Sequence, residues 1–237
     1  MDPTNLYLRV REKEGRLFSD ALATQLPNLP GRHPLAKEWR IRADSSSRLI
    51  QHLTQRPQPL KILELGCGNG WLSNQLAQIP NTQVWGLDRK SSELAQAARL
   101  FHRPNLVFFA ANIFSAPFSP QRFDIIVLAS VIQYFPDLKA LISALVPLLK
   151  SDGEIHILDS LLYSPAELPA ARARTRAYYT TLGFPEMADH YHHHPNSALD
   201  PYAPIWLYRP NGWIFRLKRR FGWSVSPFPW AVLRSSS

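Results

Sequence analysis

Residues 62–70 read ILELGCGNG, and this stretch decides the fold. A short apolar run ends here, and glycine then occupies every second position, at Gly66, Gly68 and Gly70. Glycine tolerates a left-handed backbone and lets another group come close to the main chain. The segment GWLSNQLAQI, residues 70–79, has the spacing of a helix, and the first N–H groups of a helix lack intrahelical partners. The stretch therefore predicts a strand, a ligand-binding turn and a helix, in that order.

Strands and helices alternate along the chain around this turn. We predict strands at residues 60–66, 82–88, 106–112, 123–130 and 153–160, and helices at residues 91–101 and 137–150. Ser91 or Ser92 is expected to cap the first of these helices, and the second is expected to continue through Pro147. The strand FDIIVLAS is apolar throughout, which is typical of burial on both faces. The alternation predicts an α/β fold, in which crossover helices connect a parallel sheet.

The flanking segments are less regular. Residues 1–34 predict a capping segment with one short helix, and residues 35–55 a helix with an interruption near residues 45–47. Further predictions are a helix at residues 164–183, a loop at 184–204 and one or two closing strands at 223–234. We divide the chain into an N-terminal helical cap (1–55), a core (56–162) and a lid with the closing strands (163–237), all in one domain.

The composition argues against several classes of protein. The single cysteine, Cys67, cannot form an intramolecular disulfide, which indicates a reducing compartment. The N-terminal sequence has no basic region followed by an apolar stretch, so we predict no secretory signal. No run of about 18 apolar residues occurs, so we predict no membrane span. Together these features predict a cytoplasmic protein.

The chain is basic, with a formal net charge of +9. Much of the excess lies in YRPNGWIFRLKRRFGW, residues 208–223. A basic surface attracts nucleic acid, phosphorylated metabolites or acidic lipid head groups. Trp213, Phe215, Phe221 and Trp223 stand among the basic residues, a mixture that suits peripheral contact with an anionic membrane. A solvated helix face is the simpler interpretation of the same pattern.

Two carboxylates accompany the glycine turn. Glu64 stands two residues before Gly66, and Asp88 ends the next predicted strand, where a carboxylate can bind the two hydroxyls of a ribose. The spacing Gly-x-Gly-x-Gly differs from the Gly-x-Gly-x-x-Gly of nicotinamide-binding folds. With the later segments FFAANIF and FDIIVLASVIQYFPDL, these features make residues 60–160 resemble the class I S-adenosylmethionine-dependent methyltransferases, in their small-molecule, type 11/12-like branch.

The resemblance implies a Rossmann-like, seven-stranded, mostly parallel sheet with helices on both faces, an N-terminal helical cap and an inserted or C-terminal substrate lid. It implies S-adenosylmethionine as the cofactor and S-adenosylhomocysteine as the product. The glycines would clear space for the amino-acid moiety, while Glu64 bonds the ammonium or the loop, Asp88 the ribose, and Asn112 the adenine, where the family usually has aspartate. The implied cofactor-binding residues are Glu64, Gly66, Cys67, Gly68, Gly70, Asp88, Arg89, Asn112, Ile113, Ala129 and Ser130.

Residues for the chemistry are expected after the fourth and fifth strands or in the lid. Many relatives carry a histidine after the fourth strand, where this chain has Gln133 and Tyr134. The candidate catalytic residues are Tyr134, Asp159, His190 and His193. The candidate substrate-binding residues are Gln133, Tyr134, Tyr178, Tyr179 and His192.

The segment HYHHH, residues 190–194, permits three interpretations: a substrate pocket or base, a metal site, or a surface loop. Consecutive ligands rarely face one ion, so we predict no metal. His156 lies inside a predicted strand and is interpreted as a core histidine. Arg172, Arg174 and Arg176 would either hold an anionic substrate or form a solvent-facing basic helix.

The predicted activity is methyl transfer to an oxygen or nitrogen atom of a small, anionic or lipid-like metabolite, by a monomer or homodimer. One alternative is an RNA methyltransferase, which the positive charge favours. Against it, the residues ASVI after the fourth strand lack the Asn/Asp-Pro-Pro-aromatic signature of amino-methylating nucleic-acid enzymes. The other alternative is a protein that binds the cofactor as a scaffold, without catalysis.

Overall fold

The computed structural model describes residues 3–89, 91–116, 118–210 and 226–235. Its helices are α1 (Pro3–Lys13), α2 (Asp20–Ala23), α3 (Ala36–Thr54), α4 (Trp71–Leu76), α5 (Ser92–Leu100), α6 (Leu138–Leu145) and α7 (Leu168–Leu182). Its strands are β1 (Leu60–Leu65), β2 (Thr82–Asp88), β3 (Leu106–Ala110), β4 (Phe123–Ala129), β5 (Leu149–Leu158), β6 (Leu162–Tyr163), β7 (His194–Pro195), β8 (Ile205–Tyr208) and β9 (Trp230–Arg234). The predictions for the basic stretch and its aromatic residues concern residues 211–223, which lie outside the described residues.

Seven of these strands form one sheet, in the order β3-β2-β1-β4-β5-β9-β8. The first five strands in the chain pair in parallel, and β9 runs antiparallel to both β5 and β8. The predicted seven-stranded, mostly parallel α/β fold is confirmed. The chain order reverses between β1 and β4, and such a reversal leaves a crevice beyond the carboxyl ends of the strands.

Apolar side chains cover both faces of the sheet. One face packs against α6, and its buried cluster includes Leu63, Ile126, Ile155, Leu141 and Ile142. The other face packs against α3 and α4, and its cluster includes Ile62, Ile125, Leu49, Leu53 and Leu72. Helices therefore lie on both faces, as the resemblance implied. The rigid sheet fixes the positions of the loops at its carboxyl edge.

Helix α6 ends at Leu145, so the expectation that it continues through Pro147 is wrong. Proline lacks the backbone N–H that an α-helix needs, and its ring clashes with the preceding turn. The chain forms a short 3-10 helix at Val146–Leu148 instead, and β5 starts directly afterwards at Leu149.

Helix α3 is continuous across residues 45–47, where an interruption was expected. Ser46 Oγ donates to Ala43 O (3.1 Å), a carbonyl of the preceding turn, and Ser45 Oγ donates to the Asp159 carboxyl (2.8 Å). Neither hydroxyl therefore competes for the N–H groups of the helix. At α5 the predicted cap is confirmed, since Ser91 Oγ accepts from Leu94 N at 3.2 Å.

The N-terminal segment contains two helices, α1 and α2, rather than the one that was expected. Helix α1 packs against the segment after β5. Leu6 and Val10 of α1 form a small buried cluster with Tyr179 of α7 and Met187 of the 3-10 helix Pro185–His190. Among the described residues, no helix is long and apolar enough to cross a membrane.

Candidate active site

Hydrogen bonds hold the glycine turn against β2. Gly66 N donates to Leu87 O (2.7 Å), and Gly68 N donates to Asp88 Oδ2 (2.6 Å). Gly66, Gly68 and Gly70 have φ angles of 78°, 51° and 77°, in the left-handed region that favours glycine. Gly70 is also the N-terminal cap of α4. The strand, turn and helix predicted from residues 62–70 are therefore all present.

The three glycines have different surroundings. A Cβ atom at Gly66 would lie 2.3 Å from Val131 Cγ2, and one at Gly70 would lie 2.6 Å from Phe108 Cζ. A Cβ atom at Gly68 would meet no atom of the described residues within 4 Å. Gly66 and Gly70 thus make room for side chains of the protein itself. Of the three glycines, Gly68 is the one beside open space, where a ligand could approach the backbone.

Cys67 lies between these glycines and is 3% exposed. Burial raises the pKa of its thiol well above the ordinary value. The reactive form of cysteine is the thiolate, so this thiol is unreactive while the turn stays closed. This burial is consistent with a small side chain that fits a tight turn.

Glu64 lies in β1 and is 3% exposed. Its Oε2 accepts a hydrogen bond from Ser73 Oγ of α4. Burial raises the pKa of Glu64 to about 8, the Ser73 hydrogen bond opposes this, and the charge of Asp88 adds to it. Among the described residues, no basic side chain forms an ion pair with Glu64. A cation brought by a ligand would favour the charged form of this carboxyl group.

Asp88 closes β2 and connects it to the glycine turn. Oδ2 accepts from Gly68 N, and Oδ1 accepts from Arg89 N (2.6 Å). Desolvation raises the pKa of Asp88 to about 6, and these two hydrogen bonds oppose the rise. A carboxylate oxygen has more than one lone pair, so both oxygens can still accept from a pair of hydroxyl groups.

The ends of β3 and β4 complete this part of the carboxyl edge. Asn112 is exposed, and its Oδ1 accepts from Phe114 N (3.2 Å), while the neighbouring Ile113 is buried. After Ala129, Ser130 has φ 56° and donates its backbone N–H to Leu158 O (3.0 Å). A non-glycine residue in the left-handed region is uncommon and is often found at functional sites.

A cleft of 370 Å³ opens beyond Ser130, between the sheet edge and helices α1, α3 and α7. We call it the arginine cleft. Its polar and aromatic residues are Ser130, Gln133, Tyr134, Thr175, Tyr178, Tyr179 and Tyr191. Its charged residues are Arg11, Glu14, Arg16, Glu38, Arg42 and Arg174.

Gln133 connects the sheet edge to the lid. Its Nε2 donates to Ser130 O (2.7 Å), and its Oε1 accepts from Ser160 Oγ (3.3 Å). Its backbone O accepts from His192 N (2.7 Å). These bonds use both ends of the side-chain amide, so Gln133 is a fixed part of the cleft.

Two glutamates neutralise part of the charge in the cleft. Glu38 accepts from Arg16 Nη1 and Nη2 at 2.6 Å each, and also from Arg42. Burial opposes ionisation of Glu38, but these arginines bring its pKa down to about 2. Glu14 forms an ion pair with Arg16 (3.1 Å) and accepts from Tyr178 OH. These pairs form a rigid, charged wall.

The other two arginines are less compensated. Arg11 Nη2 lies 3.6 Å from Glu93 Oε1, and Arg11 Nε is buried without a hydrogen-bond partner. Arg174 is exposed, lines the cleft and forms no ion pair or hydrogen bond among the residues that the structure describes. The cleft therefore presents an uncompensated guanidinium, a group that binds carboxylate and phosphate.

The sequence profile of the family described as "Methyltransferase domain" matches residues 58–203. This match spans well over half of the chain, including the glycine turn, Asp88 and most of the residues that line the cleft. The chain belongs to the methyltransferase domain family. Its cofactor is accordingly S-adenosylmethionine, as the resemblance implied.

The chain is similar in sequence to several methyltransferases. It is 32% identical over 95 residues to the malonyl-[acyl-carrier protein] O-methyltransferase of Acetivibrio thermocellus, covering 40% of this chain and 33% of that one. It is 31% identical over 135 residues to the ubiquinone biosynthesis O-methyltransferase of Xanthomonas euvesicatoria, covering 55% and 54%. The chain thus spans between a third and about half of the length of these relatives.

The fold is similar to that of the geranyl diphosphate C-methyltransferase of Streptomyces coelicolor, solved with Mg²⁺, geranyl diphosphate and S-adenosylhomocysteine. The TM-score is 0.58 at 13% identity, and the alignment covers 86% of this chain and 85% of that one. At this identity the likeness concerns the fold alone.

The structure does not bring the four candidate catalytic residues of the methyltransferase together. Tyr134 lines the arginine cleft, with its ring in edge contact with Tyr7 of α1 (5.4 Å between centroids). Asp159 lies behind the cleft, where Oδ2 accepts from Ser45 Oγ (2.8 Å) and Oδ1 is buried without a partner. Burial raises the pKa of Asp159 to about 6, although the Ser45 hydrogen bond opposes this. His190 is exposed and does not line the cleft.

The histidines of residues 190–194 point to a second region. His193 is buried, and its Nε2 lies 2.8 Å from Thr175 Oγ1. His194 is also buried, with Nε2 3.0 Å from Ile132 O. His192 and His193 line a neighbouring cleft on the other side of α7. Of the candidate substrate-binding residues, Gln133, Tyr134, Tyr178 and Tyr179 line the arginine cleft, and His192 does not.

Sequence reasoning missed the charged residues that the N-terminal helices contribute to the cleft. These are Arg11, Glu14, Arg16, Glu38 and Arg42. The run REKEGR at residues 11–16 is a dense cluster of both signs, which is a signal of ion pairing. It carries no information about which part of the sheet the helix covers.

His52, Glu154 and His156 have ligand atoms within 4.8 Å of one another, a spacing that a metal ion could bridge. Trp230 Nε1 donates to His156 Nδ1 (3.2 Å), so the neutral ring carries its proton on Nε2, which faces Glu154 Oε2 at 3.3 Å. A metal would need Nε2 without its proton. His52 Nε2, Glu154 Oε2 and His156 Nε2 are each buried without a hydrogen-bond partner among the described residues, so the three groups form a buried polar cluster that interacts through charge. His156 is fully buried, as expected for a core histidine.

Proposed function

We propose that this protein transfers a methyl group from S-adenosylmethionine to an oxygen atom of a small acceptor that carries an acidic group. The observation that carries the proposal is the arginine cleft, where Arg174 is the uncompensated cation beside the strand ends. A cleft with excess positive charge favours an anionic acceptor over a neutral one. The curated relatives named above are O-methyltransferases, which supports oxygen as the methyl acceptor.

The residues at the carboxyl edge fit the cofactor. Gly68 leaves backbone facing open space, Glu64 offers a buried carboxyl to an ammonium group, and Asp88 offers two acceptors to a ribose. We propose that these residues hold it, with Asn112 and Ile113 beside its base. When bound, S-adenosylmethionine supplies a methyl group on a sulfonium, which an oxygen nucleophile attacks in line.

The acceptor would lie in the arginine cleft, on the side of Ser130. Arg174 would hold its acidic group, and the rings of Tyr134 and Tyr179 would orient its body. Nearby guanidinium groups favour the deprotonated form of a carboxylic acid or phenol. An acceptor that is already an anion needs no dedicated general base, so Tyr134 serves to position it, and Asp159, which does not line the cleft, is not assigned a role in catalysis.

Calorimetry with S-adenosylhomocysteine tests the cofactor site. We expect micromolar binding, and we expect Asp88→Ala to weaken it at least about tenfold, because the ribose loses both acceptors. Asp124→Ala is the matched control: Asp124 also accepts a backbone N–H, from Lys61 at 2.8 Å, and Lys61 is at the other end of β1. No binding by the folded wild-type protein would overturn the proposal in favour of a scaffold.

A methyl-transfer screen of carboxylic acids, phenols and neutral alcohols, with labelled cofactor, tests the acceptor class. We expect the carboxylic acids and phenols to be methylated, and the neutral alcohols not. In Arg174→Gln we expect the KM for these acidic acceptors to rise by about tenfold or more, because the anion loses its partner. Arg40→Gln, an exposed arginine of α3 that does not line the cleft, serves as the control. Preference for neutral acceptors would contradict the assignment of the cleft but not of the cofactor.

A further inference from the structure

Helix α7 separates two clefts. Arg174, Thr175 and Tyr178 line the arginine cleft, while Arg172 and Arg176 line a second cleft of 300 Å³. Arg172 and Arg176 are four residues apart and share a face of the helix, whereas Arg174 is two residues from each and lies on the opposite face. Thr175 is three residues after Arg172 and lies between the two clefts. The segment that includes Asp189, His192 and His193, together with Pro136, closes the second cleft. We call it the outer cleft.

The outer cleft has an excess of basic groups. Its only carboxylate among the described residues is that of Asp189, which already pairs with Arg176 (Nη2–Oδ1 2.9 Å). Arg172 forms no ion pair and no hydrogen bond within the described part of the chain. Like charges four residues apart on a helix repel each other, and a bound anion beside Arg172 and Arg176 would relieve this repulsion.

His193 adds a buried polar group to this cleft. His193 is only 8% exposed, and its Nε2 lies within hydrogen-bond distance of Thr175 Oγ1 (2.8 Å). When the Thr175 hydroxyl donates to Nε2, the ring proton is on Nδ1, which then acts as a hydrogen-bond donor. Thr175 also lines the arginine cleft, and Tyr191 lines both clefts, so the two clefts share a wall.

We propose that the outer cleft binds a phosphate group, with Arg172 and His193 as its principal donors and Arg176 beside them. Phosphate offers several acceptor oxygens and a double negative charge, which match a guanidinium and an imidazole better than a single carboxylate does. The phosphate would belong either to the acceptor itself or to a separate phosphorylated metabolite.

Titration of the full chain with inorganic phosphate, in chloride buffer and followed by calorimetry, tests the site. We expect millimolar or tighter binding and a loss of at least about tenfold in Arg172→Gln, because a charge-assisted pair is removed. Arg174→Gln, on the opposite face of the same helix, should bind phosphate as the wild type does. Absence of binding would overturn the proposal, and so would a loss in Arg174→Gln without one in Arg172→Gln, which would assign the phosphate to the arginine cleft.

The NMR signals of the His193 side chain provide a second test of the phosphate site. Burial, and then the charge of Arg172, lower the pKa of His193, so a bound anion should raise it. The titratable and charged groups around His193 are Arg172 and Arg174 of α7, Tyr163 of β6, and Tyr191, His192 and His194 of its own segment. We expect phosphate to raise the pKa of His193 in NMR titrations of the wild type, and not in Arg172→Gln. An unchanged pKa in the wild type would contradict direct contact.

A kinetic experiment distinguishes a phosphate group of the acceptor from a separate phosphorylated metabolite. It measures methyl transfer to a phosphate-free acceptor from the screen, and it is the one experiment here that rests on the proposed function. An inorganic phosphate concentration that fills the site should leave KM unchanged if the group belongs to the acceptor. A changed KM would identify a separate phosphorylated metabolite. Both results support a phosphate site, whose existence the titrations test without any methyl transfer.

Discussion

Glu64 and Glu154 are buried carboxyl groups of the same sheet, with 3% and 2% of their surfaces exposed. Glu154 Oε1 accepts from Arg56 (2.9 Å) and Arg234 (3.1 Å), and Oε2 faces His156. Burial opposes its ionisation, but hydrogen bonding to His156 and then the arginine charges bring its pKa to about 2. Within the described part of the chain, Glu64 has only Ser73 as a hydrogen-bond partner, and burial raises its pKa to about 8.

The difference between the two glutamates lies in where the balancing positive charge comes from. The protein itself supplies cations to Glu154, which is consistent with a structural role. Among the residues that the structure describes, it supplies none to Glu64, although an uncompensated buried charge is costly. We therefore propose that the ligand supplies the compensating charge. The three predictions below test this contrast, from the largest expected effect to the smallest.

Glu154→Gln should lower the free energy of unfolding by about 3 kcal/mol, because it removes the buried carboxylate that pairs with the partly buried Arg56 and with the more exposed Arg234. For a chain of this size, that corresponds to a fall in the melting temperature of about 6–12 °C. Thermal unfolding measures it, and S-adenosylhomocysteine affinity should stay unchanged. A melting temperature within about a degree of the wild type would contradict a structural role for the Glu154 ion pairs.

Glu64→Gln should leave the melting temperature unchanged or raise it, because the amide carries no cost of ionisation. It should weaken S-adenosylhomocysteine binding by about 2 kcal/mol, or about thirtyfold, through loss of a charge-assisted contact with the ligand ammonium. Calorimetry measures the affinity, with Glu154→Gln as the matched buried control. Normal affinity in Glu64→Gln would mean that the carboxyl group serves only the glycine turn.

Binding should also release a proton from Glu64. The folded pKa of about 8 exceeds the ordinary 4.5, so between these values the free protein holds a proton that a cationic ligand expels. S-adenosylhomocysteine affinity should therefore rise with pH, by at most about tenfold per pH unit from this group, with a smaller contribution from Asp88 near pH 6. Calorimetry in two buffers of different ionisation enthalpy counts the protons. An unchanged count in Glu64→Gln would refute the assignment.

The same comparison gives opposite trends for the stability of the free protein. The raised pKa of Glu64 means that its contribution to stability is present below about pH 4.5 and declines as the pH rises through about 8. The lowered pKa of Glu154 means that its contribution is present above about pH 4.5 and is lost as the pH falls towards 2.

The sequence was sufficient to predict the carboxyl edge of the core, because short-range rules decide it. Glycine at alternate positions permits the turn, Asp88 ends the adjacent strand, and Ser91 caps the next helix. Each feature depends on residues a few positions away. The same rules were misapplied at Pro147, where a helical pattern was given more weight than the proline that ends it.

The arginine cleft could not be predicted, because it depends on contacts between distant segments. Arg16 and Arg42 meet at Glu38, and Tyr178 reaches Glu14 from more than 160 positions away. The sequence identified the histidines of residues 190–194 as candidate site residues. The orientation of their side chains depends on contacts with α7 and the sheet edge, which the sequence does not reveal. Strand β8 was missed because its apolar run, IWLY, is too short to be recognised as a strand from its own residues, and its partner β9 lies far along the chain.

The burial of Cys67 has a practical consequence, because it is the only cysteine in the chain. A thiol reagent modifies a buried cysteine only when the surrounding segment opens to solvent. The rate of modification in the native protein therefore measures how often the glycine turn opens. A cofactor that holds the turn closed would slow the reaction, so a single absorbance trace would report occupancy without a label, a mutation or a known acceptor.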